Sequence, residues 1–208
     1  MRPALFVLLA FVIVACRPAD QPPEPTPLEQ LIAEGPPRTP VLVNNGFDVA
    51  TVRITFRHEG AQSGTSTVWI EDYGEKAALL EEVDSGGGAS QRHTYWGGDR
   101  SYLQNSPNAP VAQSSFEPDQ MIASRIVRFS EEQKAALGWT PAGERTIAGQ
   151  TCQVWRQELN QTELCVWRGL DIQEITGVNP DGTFETKREA VEIVENERIP
   201  AEFVALAQ

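Results

Sequence analysis

The chain has 208 residues and a formal net charge of −12, with 17 Lys and Arg against 29 Asp and Glu. Nucleic acid and anionic lipid surfaces want clustered Lys and Arg, whereas Arg53, Arg57, Arg92, Arg100, Arg125 and Arg128 are dispersed among acids. That balance excludes both partner classes and describes an acidic, soluble domain.

Met1-Arg2 supplies a positive start, Ala4 to Ala15 is almost unbroken apolar sequence, and Cys16 follows at once. The apolar run is too short for a membrane span and carries the flanks of a secretory signal. Small Ala15 before Cys16 resembles the bacterial lipobox, in which the cysteine is acylated and the chain is cut just before it. Residues 1–15 are therefore expected to be a lipoprotein signal peptide, with palmitate-type acylation at Cys16 holding the protein to a membrane. An ordinary signal peptide with an incidental cysteine is the plainer alternative. Arg17, rather than Asp, after the cysteine points to the outer membrane of the bacterial envelope, with the protein facing the periplasm.

Residues 16–40 read as a tether. Eight prolines lie between Pro18 and Pro40 among few apolar residues. Such a segment cannot bury enough surface to fold, and proline keeps it extended. Fully polyproline-like, it would reach ~70 Å.

A single domain is expected over 41–208. Val52, Ile54 and Phe56 alternate with Arg53, Thr55 and Arg57, the period of a half-buried strand. Further strands are predicted over Thr65 to Tyr73, Lys76 to Val83, Gln91 to Trp96 and Ser101 to Gln104. The turns between them fall at Asp72 to Glu75, Asp84 to Gly88 and Gly97 to Asp99. Glu117 to Arg128 has helical spacing, and Ser130 to Gln133 is a capping box for a second short helix that Gly138 closes. These helices are expected to cover one face of the sheet.

The second half predicts strands over Arg145 to Glu158, Thr162 to Arg168, Leu170 to Val178 and Thr183 to Glu195. Asn179 to Gly182 forms a hairpin turn among them. Ile199 to Leu206 is an apolar tail expected on the sheet edge. About nine strands and two helices make an antiparallel α+β domain.

With Cys16 carrying lipid, Cys152 and Cys165 remain as an even pair in an oxidising compartment. A hairpin centred near Glu158 and Leu159 would set them opposite one another, in reach of a structural disulfide. Metal ligation and redox chemistry are the alternatives. The former lacks histidines nearby in sequence, and the latter usually needs a two-residue spacing.

The blocks VWIEDYGEKAALLEE, GDRSYL, GWTPAGERTIAGQTCQVWR, ELCVWRGLDIQE and REAVEIVENERIPAEFVAL resemble, in order, one family of uncharacterised bacterial envelope proteins. That family is similar to the LolA/LolB-like lipoprotein-carrier superfamily. The resemblance spans roughly Val49 to Leu206 and is most specific at the Gly149-Gln150-Thr151-Cys152 to Trp167-Arg168-Gly169 hairpin. It implies a curved antiparallel sheet, a half-open β-barrel, with short helices over its concave face. It further implies a lipid, another apolar ligand or a lipoprotein segment bound there, or an envelope protein as partner. The chain departs from the soluble carriers in the anchor expected at Cys16.

No catalytic, metal-binding or cofactor motif is present: there is no His-Glu-x-x-His, no phosphate-binding glycine loop and no Gly-x-Ser-x-Gly. His58 and His93 each fall on or beside a strand, where a lone histidine is ordinarily structural. Adjacent acids such as Glu71-Asp72 and Glu81-Glu82 diverge to opposite faces of a strand. Trp69, Tyr73, Tyr95, Trp96, Trp155 and Trp167 are the candidate ligand-lining residues, if they face a cavity and do not simply pack the sheet. A non-enzymatic binder of an apolar ligand is therefore the expectation. A structural lipoprotein that docks a protein partner is the alternative.

Overall fold

The computed structural model describes residues 48–98, 100–115 and 129–208. Cys16, the Pro-rich tether and the Glu117 to Arg128 helix expected from the sequence lie outside the described residues.

Among the described residues, eleven strands build one antiparallel sheet. The first half is a meander: β1 (Val52–Gly60), β2 (Ser63–Glu71), β3 (Lys76–Asp84), β4 (Ala89–Gly97), β5 (Arg100–Gln104) and β6 (Ala112–Ser115). A helix, α1 (Glu131–Ala136), precedes the second meander. That comprises β7 (Trp139–Ile147), β8 (Gln150–Gln157), β9 (Thr162–Trp167), β10 (Leu170–Thr176) and β11 (Thr186–Glu195), followed by α2 (Ala201–Val204). The order across the sheet is β6-β5-β4-β3-β2-β1-β11-β10-β9-β8-β7.

Every neighbouring pair is a local hairpin except one. β1 and β11 join the two halves, from Val52 opposite Glu195 to Gly60 opposite Thr186. Among the described residues, the first and last strands are thus central, and the sheet ends at β6 and β7. The domain is mostly β, not the α+β class expected. The described helices amount to α1, α2 and short 3₁₀ turns, too little to form a layer.

Local chemistry explains the boundaries. Asp84 Oδ1 accepts from the amides of Gly86 at 2.7 Å and Gly88 at 3.3 Å, which organises the β3–β4 turn. Ser130 caps α1: its Oγ accepts from Gln133 N, and Gln133 Oε1 accepts from Ser130 N. Gly138, at φ +77°, ends that helix where an L side chain would be strained. The capping box read from the sequence is therefore present. α1 buries none of its own residues and lies beside β7, with Lys134 Nζ 4.5 Å from the Trp155 ring centroid.

The two halves differ in regularity. All five ladders within β1–β6 run without a register shift. Shifts occur between Thr55 and Phe56 at the seam with β11, between Asp171 and Gln173 in β10, and between Pro141 and Glu144 in β7. Bulges bend and twist a strand, and this half of the sheet curls. β7 approaches β11 to within 8 Å between Cα atoms although three strands separate them. Inside that curl, Arg145 Nη2 and Arg156 Nη2 each sit 2.8 Å from the nearly buried Glu163 carboxylate. Burial works to raise that carboxyl's pKa, but the two arginines outweigh it and hold it below its ordinary value.

The core has a cluster at the seam and smaller ones elsewhere. Val52, Ile54, Phe56 and Ile70 from the first half meet Val154, Trp167, Leu170 and Ile172 from the second. Trp139 and Leu164 form a cluster near α1, packed by Trp155 and Leu137. Trp69, Ala78 and Tyr95 pack against Ile199 and Phe203. The apolar tail therefore covers a face of β2–β5, contrary to the edge position expected. Residues 69, 78 and 95 are register partners on one face, and Phe203 inserts against Trp69 with ring centroids 5.2 Å apart.

Cys152 and Cys165 lie at disulfide distance, with Sγ–Sγ 2.08 Å and Cα–Cα 5.4 Å. They are not directly opposite. Cys165 pairs with Val154, so Cys152 sits on the diagonal two residues away. The hairpin is centred one residue later than expected, because Gln157 pairs with Thr162 and leaves a four-residue loop. Strand twist brings one diagonal of a hairpin close enough for a bridge. Replacing both cysteines by serine is expected to lower unfolding stability by about 3 kcal/mol, the loop-closure value for so short a span. Urea titration under non-reducing conditions measures it; an unchanged midpoint and slope would contradict a stabilising bridge.

Candidate functional site

Because β1 to β4 are in continuous register, every second residue projects from the same face. Ile54, Phe56 and His58 of β1 align with Val68 and Ser66 of β2, then Leu79 and Glu81 of β3, then Thr94 and Arg92 of β4. A groove of about 270 Å³ lies on this face. Its apolar lining is Ile54, Phe56, Val68, Ile70, Leu79, Trp96 and Leu170. Its polar lining is His58, Ser66, Glu81, Arg92, Asp171 and Arg188. Along the strands, Ile54, Ile70 and Trp96 lie toward one end and His58, Glu81, Arg92 and Arg188 toward the other, so the groove is amphipathic along its length.

The polar end is paired within itself. Arg92 forms an ion pair with Glu81. Arg188 Nη2 lies 3.5 Å from Glu174, while its guanidinium carbon stands 4.8 Å from the Phe56 ring centroid. His58 Nε2 is 2.8 Å from Ser66 Oγ. Burial lowers the His58 pKa first, the Arg188 charge lowers it further, and Glu81 acts weakly in the opposite sense. The imidazole is thus neutral at pH 7.

Histidine, serine and a carboxylate together are the residue types of a hydrolytic triad. The setting does not complete one. Ser66 lies in β2, flanked on both sides by β1 and β3, so the surrounding amides serve the ladders and no pair is free to hold an oxyanion. The His58–Ser66 contact reads as a satisfied, partly buried hydrogen bond.

A second pocket, about 290 Å³, adjoins the groove and shares His58, Glu81 and Arg188 with it. Glu59, Gln62, Glu174, Thr176, Thr186 and Lys187 complete its lining.

The six aromatic residues singled out from the sequence are not brought together. Trp96 lines the groove. Trp69 and Tyr95 lie on the opposite face, under the tail. Neighbouring strand residues point to opposite faces, so Tyr95 and Trp96 cannot share a lining. Trp155 packs near α1 and Trp167 joins the seam core. Tyr73 is 39 % exposed in a 3₁₀ turn. The residues that line the groove instead are mostly aliphatic, joined by Phe56, and the two-residue spacing of Ile54 with Phe56 and of Val68 with Ile70 was the available signal. His93 is on the tail face, its ring centroid 5.2 Å from that of Phe203.

Three comparisons bear on the fold. No family model matches the chain, and no curated protein does. Among solved structures, the chain is similar to an uncharacterized conserved protein from Thermus thermophilus. The TM-score is 0.51 at 10% identity, over 78% of this chain and 88% of that one. At that identity the likeness shows a shared fold alone. The chain also overlaps MucB, at TM-score 0.40 and 15% identity, over 77% of this chain and 58% of that one. In the MucA/MucB complex of Pseudomonas aeruginosa the values are 0.44 and 14%, over 77% and 56%. The chain thus spans little more than half of those MucB chains, and superpositions this loose carry no argument.

The half-buried His58 supplies a pH test. Its folded pKa lies below the ordinary 6.5, so below that pH the unfolded chain binds the proton first and stability falls as pH falls. Denaturation of the protein and of His58→Gln between pH 8 and pH 5 should give a constant difference above about 6.5. Below it, the wild type should lose stability relative to the variant. A difference that stays flat across the range would contradict a depressed His58.

Proposed function

We propose that this protein is a lipid-anchored lipoprotein of the bacterial envelope that binds an apolar or amphipathic ligand without transforming it. The observation that carries the reading is the groove on β1–β4. Val68 and Leu79 are only half buried although both are aliphatic, and they face a cavity with Ile54, Ile70 and Trp96. A cavity of about 270 Å³ lies just under the range typical of small-ligand pockets, and a mostly apolar wall with a few polar groups at one end is their usual composition.

Anchoring rests on the sequence. Cys16 after an apolar run supplies the acylation site, and the Pro-rich segment to Pro40 would let the domain stand off the membrane. Arg17 favours outer-membrane sorting. Cys16→Ser should abolish incorporation of labelled palmitate and move the protein to the soluble fraction. Palmitate labelling that persists in the variant would refute this anchor. Arg17→Asp should shift the anchored protein toward the inner membrane in density-gradient fractionation, and unchanged outer-membrane recovery would count against that address.

Ligand binding is tested on the purified domain by native mass spectrometry and by uptake of a fluorescent fatty acid. The wild type should retain or take up ligand. Leu79→Gln, which places an amide in the groove, should weaken uptake at least about ten-fold, the cost of burying an unpaired polar group. Leu80→Gln, on the opposite face under the tail, should leave uptake unchanged. No uptake by folded wild type would favour the other reading, a lipoprotein that docks a protein partner.

A further inference from the structure

We infer that the apolar groove and the adjoining polar pocket form one site, shaped for a single-chain amphiphile whose head group carries both a positive and a negative charge. This rests on the ligand-binding reading above and narrows its ligand class.

The two cavities share His58, Glu81 and Arg188, so one molecule can occupy both. The groove sets the tail. At about 270 Å³, just under the usual size of a small-ligand pocket, the mostly apolar groove suits one chain better than two. The pocket sets the head. Its 290 Å³ is lined by three carboxylates, Glu59, Glu81 and Glu174, and by two cations, Lys187 and Arg188, each already in an ion pair: Glu59 with Arg57, Glu81 with Arg92, Glu174 with Arg188 and Lys187 with Glu189.

Neither charge sign alone suits that lining. A lone anionic or cationic head could enter one of these pairs only by leaving the other partner uncompensated. A head with a phosphodiester and an ammonium group satisfies both. Arg188 is the natural anchor for the anion. Its Nη2 contact with Glu174 is a loose 3.5 Å, and its guanidinium is already positioned over Phe56 where the two cavities meet. An arginine fork matches phosphate oxygens in pairs. The carboxylates across the pocket then receive the ammonium end.

Lysophosphatidylethanolamine, lysophosphatidylglycerol and a free fatty acid of the same chain length separate the possibilities. Titrated against the purified protein by native mass spectrometry, the zwitterionic lipid should bind tightest, by about ten-fold over either anion. Arg188→Gln and Arg188→Lys, each checked for an unchanged melting temperature, should bring the three ligands to within about two-fold, since the paired donors are lost in both. Glu174→Gln should selectively weaken the zwitterionic ligand. Equal binding of all three ligands by the wild type would overturn the head-group assignment and leave the apolar groove standing. Binding of none would overturn the groove reading and this inference with it.

Discussion

The pairing of β1 with β11 is the constraint on which the rest of the structure depends. Every other ladder joins strands that follow each other in sequence and can form as a hairpin. This one joins the strand that begins at Val52 to the strand that ends at Glu195, so its loop-closure entropy must be met by contacts that exist only once both halves are built. Those contacts are the seam core, where Ile54, Phe56 and Ile70 meet Leu170, Ile172 and Ala190. The seam also makes the groove. Leu170, Asp171 and Arg188 come from the second half, while the remaining lining comes from β1 to β4.

Regularity and irregularity are divided between the halves, and each serves a different end. Ladders without bulges keep β1–β6 in phase, so aliphatic residues from four strands accumulate on one face and the Trp69–Tyr95 cluster accumulates on the other. The tail from Ile199 to Phe203 covers that second face. It is tied there by Ile199 N donating to Glu71 Oε1 at 2.8 Å and by Arg53 Nε against Glu197 at 2.7 Å. Bulges in β7, β10 and β11 curl the other half inward around the Glu163 cluster, with Cys152 and Cys165 clamping its β8–β9 hairpin.

Much of the strand pattern was legible from residues alone. Alternation located β1, turn chemistry located the β2–β3, β3–β4 and β10–β11 connections, and the Ser130 capping box located α1. Two strands were not fully legible for physical reasons. β6 is Ala-Gln-Ser-Ser, with no apolar alternation to read, and β7 was read only from Arg145 on, merged with β8, because Pro141 and Gly143 ordinarily break strands. An edge position tolerates both. The groove escaped the sequence because it depends on register between strands, which periodicity within one strand does not set. Large aromatics drew attention as ligand-lining candidates, yet five of the six lie outside this groove, and smaller aliphatic residues dominate its wall.

If this groove is the binding site, occupancy must be felt on one face of the sheet only. Methyl NMR of the purified domain during titration with a single-chain amphiphile reads that directly. The Ile54, Val68, Ile70 and Leu79 methyls are predicted to shift together and saturate, while those of Leu80, Ile199 and Leu206 on the tail face stay in place. Shifts confined to the tail face, or none at saturating amphiphile, would contradict the account.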